Sequence, residues 1–311
     1  MRSIAKFLLR SSEKAGCGTR RASYPYVCPK YCPLQSGLPT SFLLTFSRYN
    51  TMNTTLSKST NFLLNKVPEV TLGFWIIKIL STTVGETAAD FLAVNAGWGQ
   101  GMSRGVMAGL LAVALFLQLR TMRYTPWIYW LTVVLVSVVG TQITDLLTDK
   151  VGVSLYVSTP IFAAVLAMIF AVWYRVERSL SIHEIFTHRR EWFYWAAILC
   201  TFALGTAAGD LATEALGLGF RVGALSFGIL IAVTYAAWRL GGNAVLTFWI
   251  GYILTRPFGA ALGDLLTQAS TYGGLGLGAM WTSAIFLTVI TILVAIAQAS
   301  MRSSKLQPTN P

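Results

Sequence analysis

Four aspartates stand at one position of four long apolar stretches, and they are the residues of this chain best suited to chemistry. The stretches are FWIIKILSTTVGETAADFL from Phe74, YWLTVVLVSVVGTQITDLL from Tyr129, YWAAILCTFALGTAAGDLA from Tyr194 and FWIGYILTRPFGAALGDLL from Phe248. Each carries a Trp (75, 130, 195, 249), a Gly ten residues on (85, 140, 205, 259) and an Asp fifteen on (90, 145, 210, 264). A carboxylate inside an apolar segment is costly to bury and calls for a function or a partner. One turn before the aspartates stand Glu86, Thr141, Thr206 and Ala260, and one turn after them Val94, Asp149, Glu214 and Gln268. On a helix, four-residue spacing puts these three layers on one face. The donors are all oxygen, a set that suits Mg²⁺, Ca²⁺ or Mn²⁺, whereas zinc and copper more often recruit His or Cys. Glu86, Asp90, Asp145, Asp210 and Asp264 are therefore candidate ligands of a divalent cation or carriers of protons. Asp149 and Glu214 fall at the mouth of such a pathway, with Thr141 and Thr206 beside it. Lys78 and Arg256, basic residues within the first and fourth stretches, are candidate members of the same pathway. They also offer a competing role: paired with the carboxylates, and helped by the outer-loop Arg104, Lys150 and Arg221, they would turn the acids into structural glue between helices.

The elements that must position these groups are membrane helices. Of 311 residues 54% are hydrophobic and only 12% charged, and the mean hydropathy is +0.59; a soluble domain carries about a quarter charged residues. Eight apolar runs of spanning length follow one another, at about 70–93, 104–121, 127–147, 155–176, 192–213, 222–240, 244–266 and 278–300. They are too long and continuous for barrel strands, so the expected class is an all-α membrane protein of eight transmembrane helices, arranged as four parallel two-helix repeats. The lipid bilayer is the implied partner. Basic residues set the orientation: eleven (Lys58, Lys66, Arg120, Arg123, Arg175, Arg178, Arg189, Arg190, Arg239, Arg302, Lys305) fall on the side of the N terminus and three (Arg104, Lys150, Arg221) on the other. Both termini are thus expected in the cytoplasm.

The formal charge of +12 does not indicate nucleic acid, because 10 of the 24 Lys and Arg precede Val67 and most others flank apolar runs. Residues 1–65 form an extension rich in Arg, Lys, Ser, Pro and Cys with Glu13 as its sole acid; it is expected to be disordered, and resembles either a transit peptide or sequence ahead of a start at Met52. Membrane halves are expected at 66–176 and 192–301, joined by a polar connection at 177–191 that suits a short surface helix, with a tail at 302–311. HEIFTH in that connection is no zincin motif, its histidines being five apart instead of four. No catalytic set is visible, so neither an enzyme nor a cofactor is expected. The repeated glycines make small-xxx-small faces for close helix packing, Pro257 is expected to kink its helix, and the aromatic pairs opening each stretch are expected to anchor at the interface.

These strings carry a resemblance to a known family. KVPEVTLGFWIIKILSTTVGETAADF, YWLTVVLVSVVGTQITDLLTD, FALGTAAGDL and ILTRPFGAALGDLL followed by YGGLGLG resemble bacterial uncharacterised membrane-anchored proteins built from a four-fold repeat of unknown function. The likeness runs from about Lys66 to Ser300 and implies an integral protein of the bacterial inner membrane. From the acidic layers the expected function is secondary transport of a divalent cation, Mn²⁺ above all, coupled to protons on the carboxylates; a non-transporting scaffold is the alternative.

Overall fold

The structure, a computed structural model, describes residues 65–92 and 99–306, except for the side chains of Asp90, Gln100, Tyr272 and residues 302–306. The extension through residue 64, with its Met52, and the tail from 307 lie outside the described residues.

Among the described residues eight long helices follow in order: α1 Leu72–Asp90, α2 Gly99–Arg120, α3 Pro126–Asp145, α4 Leu155–Glu177, α5 His188–Asp210, α6 Gly219–Arg239, α7 Ala244–Thr267 and α8 Ala279–Leu306. No strand occurs among the described residues. Local chemistry sets several starts. Thr71 accepts from the Phe74 amide, Ser154 from Tyr156, Thr187 from Arg190, and Asn243 from both Val245 and Leu246, satisfying amides that the first helical turn leaves unpaired. Pro126 opens α3, where its missing N–H costs nothing. The chain continues from α3 and α5 into one π turn each, Leu146–Lys150 and Leu211–Ala215, directly after the repeated aspartate.

The odd-numbered helices form the interior. α1 packs on α3, α3 on α5, α5 on α7 and α7 back on α1, closing a ring of four. The even-numbered helices lie outside it, each chiefly against the inner helix of the following copy: α2 on α3, α4 on α5, α6 on α7 and α8 on α1. Among the described residues seven helices are long and apolar enough to cross a membrane, which makes the chain a multi-pass membrane protein. The exception is α1, where Lys78, Glu86 and the run Ser81–Thr83 lower the hydropathy. Those side chains are all buried within the protein, so α1 shows lipid little of its polarity.

Two expectations about the end where the inner helices begin are corrected. The aromatic pairs are not lipid-facing anchors: Phe74, Tyr129, Trp130, Tyr194, Trp195, Phe248 and Trp249 are buried. They stack around the ring, the first aromatic of each copy against the Trp of the next, Phe74 on Trp130, Tyr129 on Trp195, Tyr194 on Trp249 and Phe248 on Trp75, at centroid separations of 5.6, 5.6, 6.3 and 5.7 Å. Nor does residues 177–191 form a surface helix. It holds one 3-10 turn, Ile182–Glu184, and tucks Ile182 and Ile185 into the bundle.

Candidate functional site

The repeated glycines set the geometry of the inner ring. A Cβ on Gly85 would lie 2.5 Å from the Cβ of Ser137, one on Gly140 2.6 Å from Phe202, one on Gly205 2.5 Å from Arg256 and one on Gly259 2.7 Å from Thr82. Each partner stands three residues before the glycine of the next inner helix. Only a residue without a side chain lets neighbouring backbones approach so closely, and the close approach presses the next layer, Glu86, Thr141, Thr206 and Ala260, toward the middle of the ring.

An ion pair fills that layer. Arg256 reaches up one turn of α7, beneath the small Ala260. Its Nη2 donates to Glu86 Oε2 at 2.7 Å, to Thr206 Oγ1 at 2.7 Å, and to Thr141 Oγ1. Thr141 in turn donates to the Ser137 carbonyl at 3.2 Å and Thr206 to the Phe202 carbonyl at 3.1 Å. Arg256 is fully buried and Glu86 only 7% exposed. One side chain from each of the four inner helices thus meets at one guanidinium. A buried pair of this kind gains little net stability when intact, but removing one partner strands the other charge.

Lys78 is placed differently from the pairing its charge suggested. Its Nζ lies 4.3 Å from the ring centroids of both Phe202 and Tyr252, and among the described residues no carboxylate joins it. Below it Tyr129 and Tyr194 bring their hydroxyl oxygens to 2.5 Å.

Above the ion pair lie the repeated aspartates. Asp145 and Asp210 are half-buried and Asp264 is buried. Asp210 lies within the electrostatic reach of Glu86, Asp264, Glu214 and Asp145, so the structure brings these carboxylates into one acidic region. Asp90 ends α1, and its side chain lies outside the described residues. Asp149 and Glu214 are exposed on the π turns beyond. Among the described residues no group of three or more His, Cys, Asp and Glu is arranged to hold a metal ion. His183 and His188 are both exposed, the first in the 3-10 turn and the second opening α5.

A second buried ion pair lies at the opposite end of the ring. Lys66 Nζ donates to Glu191 Oε2 at 2.7 Å, Gln118 donates to the other oxygen at 3.2 Å, and both charges are buried. This pair ties the approach to α1 to the start of α5. Both residues lie beside apolar runs among other charges, so nothing in their spacing singles them out. The 177–191 connection closes over the same end with Arg190 bonded to Glu177 and Glu184, at 2.8 and 2.9 Å, and Arg189 to Glu177 at 2.8 Å.

The chain matches the family described as Repeat of Unknown Function (DUF347) four times, at residues 73–124, 128–179, 193–241 and 247–303. It belongs to that family. Each DUF347 match takes in one inner helix and the outer helix after it, so the Gly, the Asp and the stacked aromatics sit at like positions of all four. No curated protein and no solved structure matches the chain.

Proposed function

We propose that this protein is a secondary transporter, that its pathway follows the axis of the inner ring, and that it moves a divalent cation of the Mn²⁺ class against protons carried on the carboxylates. The single observation that carries it is the gathering of like charges: Asp210 within reach of Asp145, Asp264, Glu214 and Glu86 in a mostly apolar molecule. Such a set tends to hold cations or protons, since adjacent carboxylates in a low dielectric resist ionising together. Its donors are oxygen throughout, matching hard cations. We further propose that all eight helices span the bilayer as four parallel two-helix repeats, that both termini face the cytoplasm, and that the membrane is the bacterial inner membrane.

The scaffold alternative is favoured by one specific observation, the Arg256–Glu86 pair, which neutralises the deepest acid. Flux separates the two. Purified protein in liposomes loaded with a Mn²⁺-sensitive dye is expected to take up Mn²⁺ under a pH gradient, and Asp210→Asn and Glu86→Gln are each expected to abolish uptake while the protein remains folded. Unchanged uptake in both variants, or none in the wild type for any divalent cation tested, would sink the transport proposal; loss of folded protein in both would favour the scaffold.

A further inference from the structure

At one level of the inner ring two buried basic side chains stand against a single carboxylate. At the level of Phe202, α1 contributes Lys78 and α7 contributes Arg256; the ammonium nitrogen lies 4.3 Å and the guanidinium carbon 5.8 Å from the centroid of the same ring. Lys78 is 1% exposed and Arg256 is fully buried. Glu86 answers one of these charges, through Arg256 Nη2 alone. The next carboxylates, Asp210 and Asp264, stand a turn beyond the Glu86 layer, away from Lys78. Among the described residues no group accepts a hydrogen bond from Lys78 Nζ, from Arg256 Nε or Nη1, or from the buried Tyr252 hydroxyl, one turn before Arg256 on α7. Several donors without acceptors on neighbouring side chains, with two basic groups to one carboxylate at this level, describe the surroundings of an anion. Ring faces contribute to holding the ammonium but supply no acceptor for its hydrogens.

We propose that the inner ring binds one small monovalent anion of the chloride class, held by Lys78 Nζ, the two remaining donor nitrogens of Arg256 and the Tyr252 hydroxyl. Small size follows from the dense packing that the glycines enforce on the layer above, and single charge from the two basic groups that share one carboxylate at this level. The site is separate from the acidic region proposed for cations, and its anion balances Lys78 whether or not a cation is carried.

The test is thermal unfolding of the purified full chain in lipid nanodiscs, in sodium chloride or sodium gluconate at equal ionic strength. Chloride is expected to raise the midpoint saturably, by about 3 °C for each tenfold excess over its dissociation constant, with gluconate too large to substitute. Lys78→Met removes the charge and is expected to abolish the chloride response; Lys78→Arg is expected to retain it. Equal midpoints in chloride and gluconate for the wild type would overturn the proposal, showing that Lys78 is buried neutral. So would a chloride response in Lys78→Met as large as in the wild type, showing that the ion sits elsewhere. Should Lys78→Met fail to fold, anomalous diffraction from wild-type crystals grown in bromide decides: a peak beside Lys78 supports the site, and none there rejects it. Mn²⁺ uptake by the same wild type in gluconate reads the transport proposal independently.

Discussion

The inner and outer helices of this bundle are built to opposite rules. About half or more of each inner span among α3, α5 and α7 is buried, 56, 67 and 50%, against 22, 11, 11 and 22% for α2, α4, α6 and α8. The inner helices carry Lys78, Glu86, Asp145, Asp210, Arg256 and Asp264, whereas the outer ones turn Phe116, Ile161, Leu225, Val233 and Ile285 outward, each 48% exposed or more. A soluble protein would place these the other way round. Lipid reverses the rule, because it solvates apolar side chains and leaves ionisable ones to find partners inside the protein. With no hydrophobic drive between helices in lipid, cohesion of the inner ring must come from close packing and polar bonds. Both are present: a glycine at each inner contact and a guanidinium shared by four helices.

The same substitution should therefore have opposite signs in the two shells. Gly140→Ala in α3 puts a methyl group 2.6 Å from the Phe202 Cβ and 3.3 Å from backbone atoms of α5, where nothing can yield without parting the helices. It is expected to cost about 1–3 kcal/mol, the usual range for overpacking. Gly109→Ala in the outer helix α2 meets nothing within 4 Å, and alanine's better helix propensity should stabilise it, by up to about 1 kcal/mol. Unfolding midpoints of the two variants in one lipid would check the contrast; a shared sign would break it.

A smaller effect is expected where the inner ring meets water. A hydrogen bond from Ser179 and the bonded Arg190 hold the Glu184 carboxyl below its ordinary value of 4.5. A lowered pKa in the folded state means that this stabilisation is present above pH 4.5 and is lost as pH falls through the lower folded value. Glu184 is half exposed, so water screens the interaction. Glu184→Gln is expected to leave stability at neutral pH nearly unchanged and to flatten its fall in acid, as a pH series of unfolding midpoints would record.

Much of this organisation was legible in the sequence. The Trp, Gly and Asp registers marked four copies, and the helical period put Glu86, Thr141 and Thr206 on one layer. Arg256 was visible as a partner for the carboxylates, and the ring gives it Glu86. What the register could not supply is rotation about the ring. That each glycine faces the residue three before the next glycine depends on which helices are neighbours, and a pattern along single helices does not record it. The stacked aromatics were misjudged for the same reason: a Trp at the end of an apolar run looks alike whether it faces lipid headgroups or the neighbouring copy. Lys78 is the sharper case. Its charge suggested an acid as partner, but the acids lie two or more turns along the axis, while Phe202 and Tyr252 from two other helices surround it. The shortfall in α1 hydropathy also has its reason here, since a helix that buries its polar side chains against its neighbours can carry them without facing lipid.

The most direct measurement is a double-mutant cycle at the centre of the ring, with Glu86→Gln, Arg256→Met and the pair compared by unfolding in nanodiscs. Either single change strands a buried charge or its donors and is expected to cost about 3–5 kcal/mol. The double variant is expected to cost less than the sum by more than about 1 kcal/mol, because each change removes the reason for the other. Costs that simply add would mean that Glu86 and Arg256 do not meet, and would contradict a ring closed around their pair.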